Sequence, residues 1–317
     1  MLAAGATIFF ALPTVLILTK AYHQKNEPTF FPITVNPTEE TITEDPAVEL
    51  MFSKQDSGLT AAVAMAGNVF DMLGAAIAAT PLYESLAPTP SRLVIVNPGY
   101  RKEEVATAFA KALGWNKTIE TSFLSAGGGT PALPDGTFFP DTYVIGSGAT
   151  DAEARSLVSD RFREEILSHY ATSTEAIVPL PQALTIASMI ERETNNKTEM
   201  RVISGIIWNR IFSGMKLQID ATLQYAKAGL SLTGKNGWWP ALASKDKFIK
   251  SPYNTYLNIG LPPSPISNPS VAAVLAALNP KNTSCLFYFH DRVGTFHCSD
   301  TYATHVALLK KYYGRGK

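Results

Sequence analysis

The chain has 317 residues, 46% of them hydrophobic, and Lys+Arg and Asp+Glu both total 27. That length suffices for two compact domains with additions, and zero net charge without a basic block excludes the electrostatic footprint of a nucleic-acid binder. The two cysteines, Cys285 and Cys298, make no metal pattern and the five histidines make no HExxH arrangement, so neither a metal nor a cofactor is expected.

Leu2 to Thr19 is uncharged and, as a helix, spans roughly 27 Å, just enough for a bilayer core. It lacks a basic leading region and a small-x-small cleavage site, so residues 1–19 read as an uncleaved membrane anchor in contact with lipid. Lys20 and Lys25 after the span, taken alone, favour a cytoplasmic C-terminal side. Residues 20–46 are polar and proline-punctuated, with acids at Glu39, Glu40, Glu44 and Asp45, and read as a linker. Leu59 to Thr80 is alanine-rich, but Asn68, Asp71, Gly67 and Gly74 favour a buried helix or helix pair over a second span.

Leu93 to Val96 predicts a short strand, Asn97-Pro98-Gly99 a turn, and Lys102 to Leu113 a helix with the stripe Val105, Phe109, Ala112 and Leu113. Ser125 to Thr137, with three successive glycines, reads as a flexible loop. Helices are expected over 151–170, 181–194 and 199–212. Asn268-Pro269 predicts a further helix start, since asparagine caps and proline suits the first turn. Two strands flank Asp291-Arg292-Val293-Gly294, at Leu286–Phe289 and Thr295–Cys298, and a last helix runs from Tyr302 to Tyr313. Counted back from that turn, Cys285 and Cys298 lie nearly opposite, so a cross-strand disulfide is open to them outside the cytoplasm.

The chemistry concentrates in the helix from Pro181. Ile186, Met189, Ile190 and Glu193 follow i, i+3, i+4, i+7 spacing and share a face, so Glu193 extends an apolar stripe. A carboxyl against apolar neighbours has its pKa raised, and an acid still protonated near neutral pH can protonate a glycosidic oxygen. The alternative is that Glu193 pairs with Arg201 or Arg210 and staples two helices. Glu191, two positions away, points elsewhere. Asp220 reads as a helix cap or as a second catalytic carboxylate. Tyr253-Asn254-Thr255-Tyr256 offers the aromatic faces and polar tips that sugars bind, and the proline-rich run from Leu261 to Pro269 predicts a stiff wall.

Gly229 to Asn236 falls one residue short of a phosphate-binding P-loop and follows no strand, and Ser213-Gly214-Met215-Lys216 lacks the companion boxes of a serine acyl-enzyme. Five stretches in order, Ala187–Thr194, Trp208–Thr222, Ser251–Tyr256, Gly260–Pro269 and the hairpin ending in Thr301–His305, resemble the endolytic murein transglycosylase, or YceG-like (MltG), family. The resemblance implies an α+β protein: an N-terminal transmembrane helix, a linker, a divergent LysM-like module over 47–137, and a lysozyme-like catalytic domain over 138–317. It also implies a lyase that cuts nascent peptidoglycan strands between N-acetylmuramic acid and N-acetylglucosamine, leaving a 1,6-anhydro end. Glu193 would be the acid/base, with Glu191 as backup, and Gln218, Asp220, Tyr253, Asn254 and Thr255 would contact substrate. A hydrolase using Asp220 and an inactive glycan-binding scaffold are the alternatives. The family further implies an extracytoplasmic catalytic domain on the bacterial inner membrane and peptidoglycan synthases of the elongation machinery as partners. The sequence departs from the family pattern at Ala221, Ser270, Phe296 and Cys298, and strand alternation turns His297 to the face opposite these last two.

Overall fold

A computed structural model describes residues 30–55, 91–125, 133–231 and 237–314. The expected anchor at 1–19 and the alanine-rich stretch at 59–80 lie outside them. Among the described residues no helix is long and apolar enough to cross a membrane.

The described chain opens on a two-residue hairpin, β1 (Val35–Asn36) and β2 (Thr41–Ile42), followed by helix α1 (Pro46–Gln55). Phe31, Val35, Val48 and Phe52 are all buried in the larger of two hydrophobic cores. The stretch expected as a linker is therefore folded from residue 30 onward. Its apolar side chains are spaced to reach the core, and backbone bonds such as Thr34 N–H to Leu278 O (3.1 Å) tie it down.

The smaller core follows. Strand β3 (Ser91–Ile95) pairs antiparallel with β4 (Thr142–Gly146), Leu93 opposite Val144. Between them run α2 (Lys102–Leu113) and α3 (Lys117–Leu124), separated by Gly114 at φ +68°, and α4 (Asp151–Glu165) packs on α3. Helix α3 starts where Asn116 accepts from Ile119 N–H, and α4 where Thr150 and Glu153 cap each other. Phe109, Phe123, Phe138 and Tyr143 form an aromatic cluster with centroids 5.3–5.7 Å apart for the pairs in contact. Phe138, Tyr143, Ile145, Ala154 and Val158 belong to this core, so its packing runs past residue 138.

The larger core is mainly helical. Helix α5 (Thr172–Ile177) leads into α6 (Leu180–Glu193), with a proline in its first turn. Then come α7 (Lys197–Phe212), α8 (Asp220–Ser231) and α9 (Val271–Leu278). Helix α9 packs against both α6 and α7, and the Trp208 indole donates to Ala277 O (2.9 Å). A Cβ on Gly205 would stand 2.3 Å from Lys281 O, so glycine is required where α7 meets that backbone. The hairpin β5 (Phe287–His290) and β6 (Phe296–Ser299) and helix α10 (Tyr302–Tyr313) complete the fold. A disulfide joins Cys285 to Cys298, with Cα atoms 5.8 Å apart.

The helix expected from Asn268-Pro269 begins later, at Val271, with Ser270 as the cap that accepts from Ala273 N–H. Asn268 is wholly buried and bridges the two cores instead. Its Oδ1 accepts from Gly136 N–H (2.8 Å) and Phe138 N–H (2.9 Å), and its Nδ2 donates to Tyr100 O (2.8 Å). A side chain saturated by bonds to distant backbone cannot also cap its own helix.

Candidate active site

Three elements converge where α6 ends. Apolar periodicity forces Ile186, Met189 and Ile190 inward, and all three are fully buried. The same stripe carries Glu193, in the last helical position, to the edge of the larger core. Tyr288 on β5 interacts with this carboxyl and favours its ionised form. Burial pushes the Glu193 carboxyl up from its ordinary range, and the nearby Asp220 charge pushes the same way. Tyr288, His290 and Arg192 pull against this.

No described arginine is paired with Glu193 in an ion pair. Arg201 Nη2 meets Glu49 at 2.7 Å and its Nε donates to Asn279 O. Arg210 donates to the carbonyls of Leu286 (2.6 Å) and Leu217. The helix-stapling alternative is thus not what α6 and α7 do with these side chains. Glu191 is differently employed: it accepts from Ser270 N–H (2.9 Å) and Ser270 Oγ (2.6 Å), holding the start of α9. Burial raises its pKa as well, while its Oε2 is held by both Ser270 groups.

Asp220 opens α8 and is exposed. Its Oδ1 accepts from the Tyr256 hydroxyl at 2.5 Å. The joint behind this contact is Thr255. Its Oγ1 accepts from Ile219 N–H (3.0 Å) and bonds Thr222 Oγ1 (2.8 Å), and its carbonyl accepts from Gln218 N–H (3.1 Å). Gln218 has φ +52°, an uncommon left-handed conformation for a non-glycine residue, and its side chain is exposed. Asp220, Ala243, Ser244, Lys247 and Tyr256 border an open recess of about 230 Å³.

Asn254 and Thr255, expected to touch substrate, are buried to 0% and 1% exposure. Asn254 donates to Lys247 O and Ile249 O and accepts from Tyr256 N–H. Both residues therefore build the loop that presents Tyr256, since short polar side chains in a turn bond their own backbone first. Tyr253 packs on Tyr225 (centroids 4.7 Å) and bonds Ser264 Oγ (2.7 Å). The proline-rich run is pinned to α6 by Ser188, which donates its hydroxyl to Thr185 O and accepts from Ile266 N–H, while Ser267 Oγ donates to Ser188 O.

The sequence reading passed over Tyr288 and His290. Both alternate onto one face of β5 with Phe296 and Cys298 of β6, and that alternation was the available signal. His290 bonds Glu199 (3.1 Å), which also accepts from Thr194 Oγ1 (2.7 Å), the residue after Glu193. His297 lies on the other face, bonded to Asp291 (2.9 Å) and stacked on Phe289.

This constellation sits in a segment matched by the YceG-like family model, which covers residues 68–311. The chain belongs to the YceG-like family. Relatives named endolytic murein transglycosylase include one from Bacillus subtilis (strain 168), 31% identical over 179 residues, covering 56% of this chain and 48% of that protein. Another, from Streptococcus pneumoniae serotype 2, is 27% identical over 190 residues, covering 60% of this chain and 34% of that protein. This YceG-like chain thus spans between a third and a half of the length of those curated relatives. The crystal structure of a YceG-like protein from Listeria monocytogenes shares the fold, with a TM-score of 0.59 at 23% identity over 71% of this chain and 77% of that one. Among the described residues of this family member, no group of His, Cys, Asp and Glu is arranged to hold a metal ion.

Proposed function

We propose that this YceG-like protein is a peptidoglycan lytic transglycosylase with Glu193 as its acid/base. The observation that carries the proposal is the state of that one carboxyl: part-buried, raised in pKa by burial, and free of an arginine ion pair beside Tyr288 and Asp220. Protonated Glu193 gives its proton to the glycosidic oxygen between N-acetylmuramic acid and N-acetylglucosamine as the C1–O bond breaks. The muramyl C6 hydroxyl then bonds to its own C1 and yields its proton to the Glu193 carboxylate, which regenerates the acid and leaves a 1,6-anhydro end. No cofactor enters this sequence. Tyr288 orients the carboxyl, Asp220 and Tyr256 form the adjacent rim, Gln218 faces solvent beside them, and Tyr253 stiffens the wall.

Residues 1–19 anchor the protein in the bacterial inner membrane with the catalytic domain outside the cytoplasm, and nascent strands in that compartment are the substrate. Peptidoglycan synthases of the elongation machinery are the partners this placement suggests. The smaller core, residues 91 to about 158, is the divergent LysM-like module, and the remainder together with residues 30–55 is the catalytic domain. A hydrolytic reading, with Asp220 activating water, rests on the electrostatic coupling of Asp220 to Glu193. Mass spectrometry of strands digested by the wild type and by Glu193→Gln decides between them. Anhydromuramyl ends that vanish in the variant support the proposal. Reducing ends indicate hydrolysis through Asp220, and undiminished activity in the variant moves the role to Glu191.

A further inference from the structure

Beside the acid, at Arg192, the chain does something costly. The Arg192 Nε is buried without a hydrogen-bond partner, and a desolvated donor left unpaired is destabilising. Its Nη1 donates to Gly99 O (3.5 Å), and the guanidinium carbon stands 3.8 Å from the centroid of Trp239, a ring face over the cation. Trp239 is itself fixed from the smaller core, its indole N–H donating to Glu104 Oε2 (2.9 Å) in the first turn of α2. That same oxygen accepts from Arg101 N–H (2.9 Å). On its other side Arg192 lies against the turn at Gly99, where φ is +80° and a Cβ would stand 3.2 Å from Arg192 Cδ and Nη1. The neighbouring Trp238 and Tyr225 receive Arg101 in the same manner, at 4.8 and 4.0 Å.

From this geometry we infer that Trp239 is a positioning residue for the acid: clamped between Glu104 of the small module and Arg192 of α6, it fixes the cation next to Glu193 and so couples the module to the reaction. The inference rests on Glu193 being the acid. Arg192 is one of several charged or titratable groups that act on Glu193: Asp220 comes from α8, Tyr288 and His290 from β5, Arg210 from α7 and Tyr256 from the 253–256 loop. A guanidinium stacked on an indole keeps its charge while losing mobility, so its pull on the carboxyl is constant as long as the clamp stands. Releasing Arg192 to solvent weakens a pull toward the ionised form, which moves the acid's titration to higher pH.

The test measures kcat and KM against pH on purified glycan strands, counting anhydromuramyl ends, for Trp239→Ala, Trp239→Phe and Glu104→Gln in the full chain. Circular dichroism and melting identify any variant that fails to fold. Trp239→Ala is expected to shift the basic limb of the kcat profile to higher pH, so that kcat on that limb rises where the wild type has begun to lose its proton, with KM little changed. Trp239→Phe keeps a ring over Arg192 and is expected to restore the wild-type limb. If folded Trp239→Ala and Glu104→Gln both leave the pH profile in place, Trp239 is only a structural contact and the inference is overturned. Retained activity in Glu193→Gln would instead overturn the acid assignment, so the two failures are distinguishable.

Discussion

The two cores of this molecule differ in how they hold charge at one place, the end of α6. Around the smaller one, charged side chains at the rim are paired with opposite partners: Asp141 and Glu165 with Arg161, Asp151 with Arg155. Its interior is a cluster of aromatic rings. The larger core is built of alanine and aliphatic side chains, yet at the end of α6 it exposes Glu193 to burial without an arginine partner and holds Arg192 by a ring face. Pairing a charge lowers its energy and quiets its chemistry; leaving it unpaired at the edge of a core keeps a proton available. Under the proposed function, the smaller core is scaffold and the larger the reacting part.

Breaking the contrast at its sharpest point should have the largest effect. Glu193→Gln is expected to remove roughly 10²- to 10⁴-fold of glycan cleavage while the far-ultraviolet spectrum stays native, since the amide keeps the shape of the acid but carries no transferable proton. In the smaller core the expectation inverts. Phe109→Ala empties the middle of the aromatic cluster and should lower stability by about 3–5 kcal/mol in chemical denaturation, with no direct loss of the acid.

Cys298→Ala opens the bond that closes the hairpin beside Tyr288. Cross-links over loops of this size contribute roughly 2–4 kcal/mol; the variant should melt lower, and the wild type under reductant should match it. The smallest effects are electrostatic and separate two carboxylates by sign. The Arg201 guanidinium holds Glu49 down at about 2, from 4.5. Glu49 therefore stabilises the fold above its unfolded pKa, and this is lost as pH falls from 4.5 toward 2. Glu193 is raised, so its protonated form favours the fold below 4.5, and that contribution is lost as pH climbs through the raised value. Denaturation from pH 3 to pH 8 should show Glu49→Gln weaker than wild type at pH 7 and converging at low pH. Glu193→Gln should be relatively more stable at pH 8 than at pH 4; a reversed trend would mean that the carboxyl is ionised in the fold.

Much of this was written in local pattern. The stripe Ile186, Met189, Ile190, Glu193 placed the acid on a buried helix face, and the turn at Asp291–Gly294 set the hairpin that brings Cys285 to Cys298. The helix from Tyr302 to Tyr313 was legible at both ends, because Thr301 caps it and Gly314 terminates it in the left-handed region. Other readings failed where a residue's partner lies far away in the chain. Asn268 looked like a cap and instead holds Gly136 and Phe138. Asn254 and Thr255 looked like sugar ligands and are consumed by backbone inside their own loop and at Ile219.

The sequence by itself determined which helix carries the acid and which face it occupies, because a 3.6-residue period sorts side chains by burial without reference to any partner. Only the tertiary structure set Glu191 and Glu193 apart, by giving the first to Ser270 and placing the second beside Tyr288 and Asp220. It alone also brought Trp239 and Glu104 onto Arg192. A hydrogen bond or a ring contact is a property of two places at once, and no local periodicity encodes which distant segment arrives at the second place.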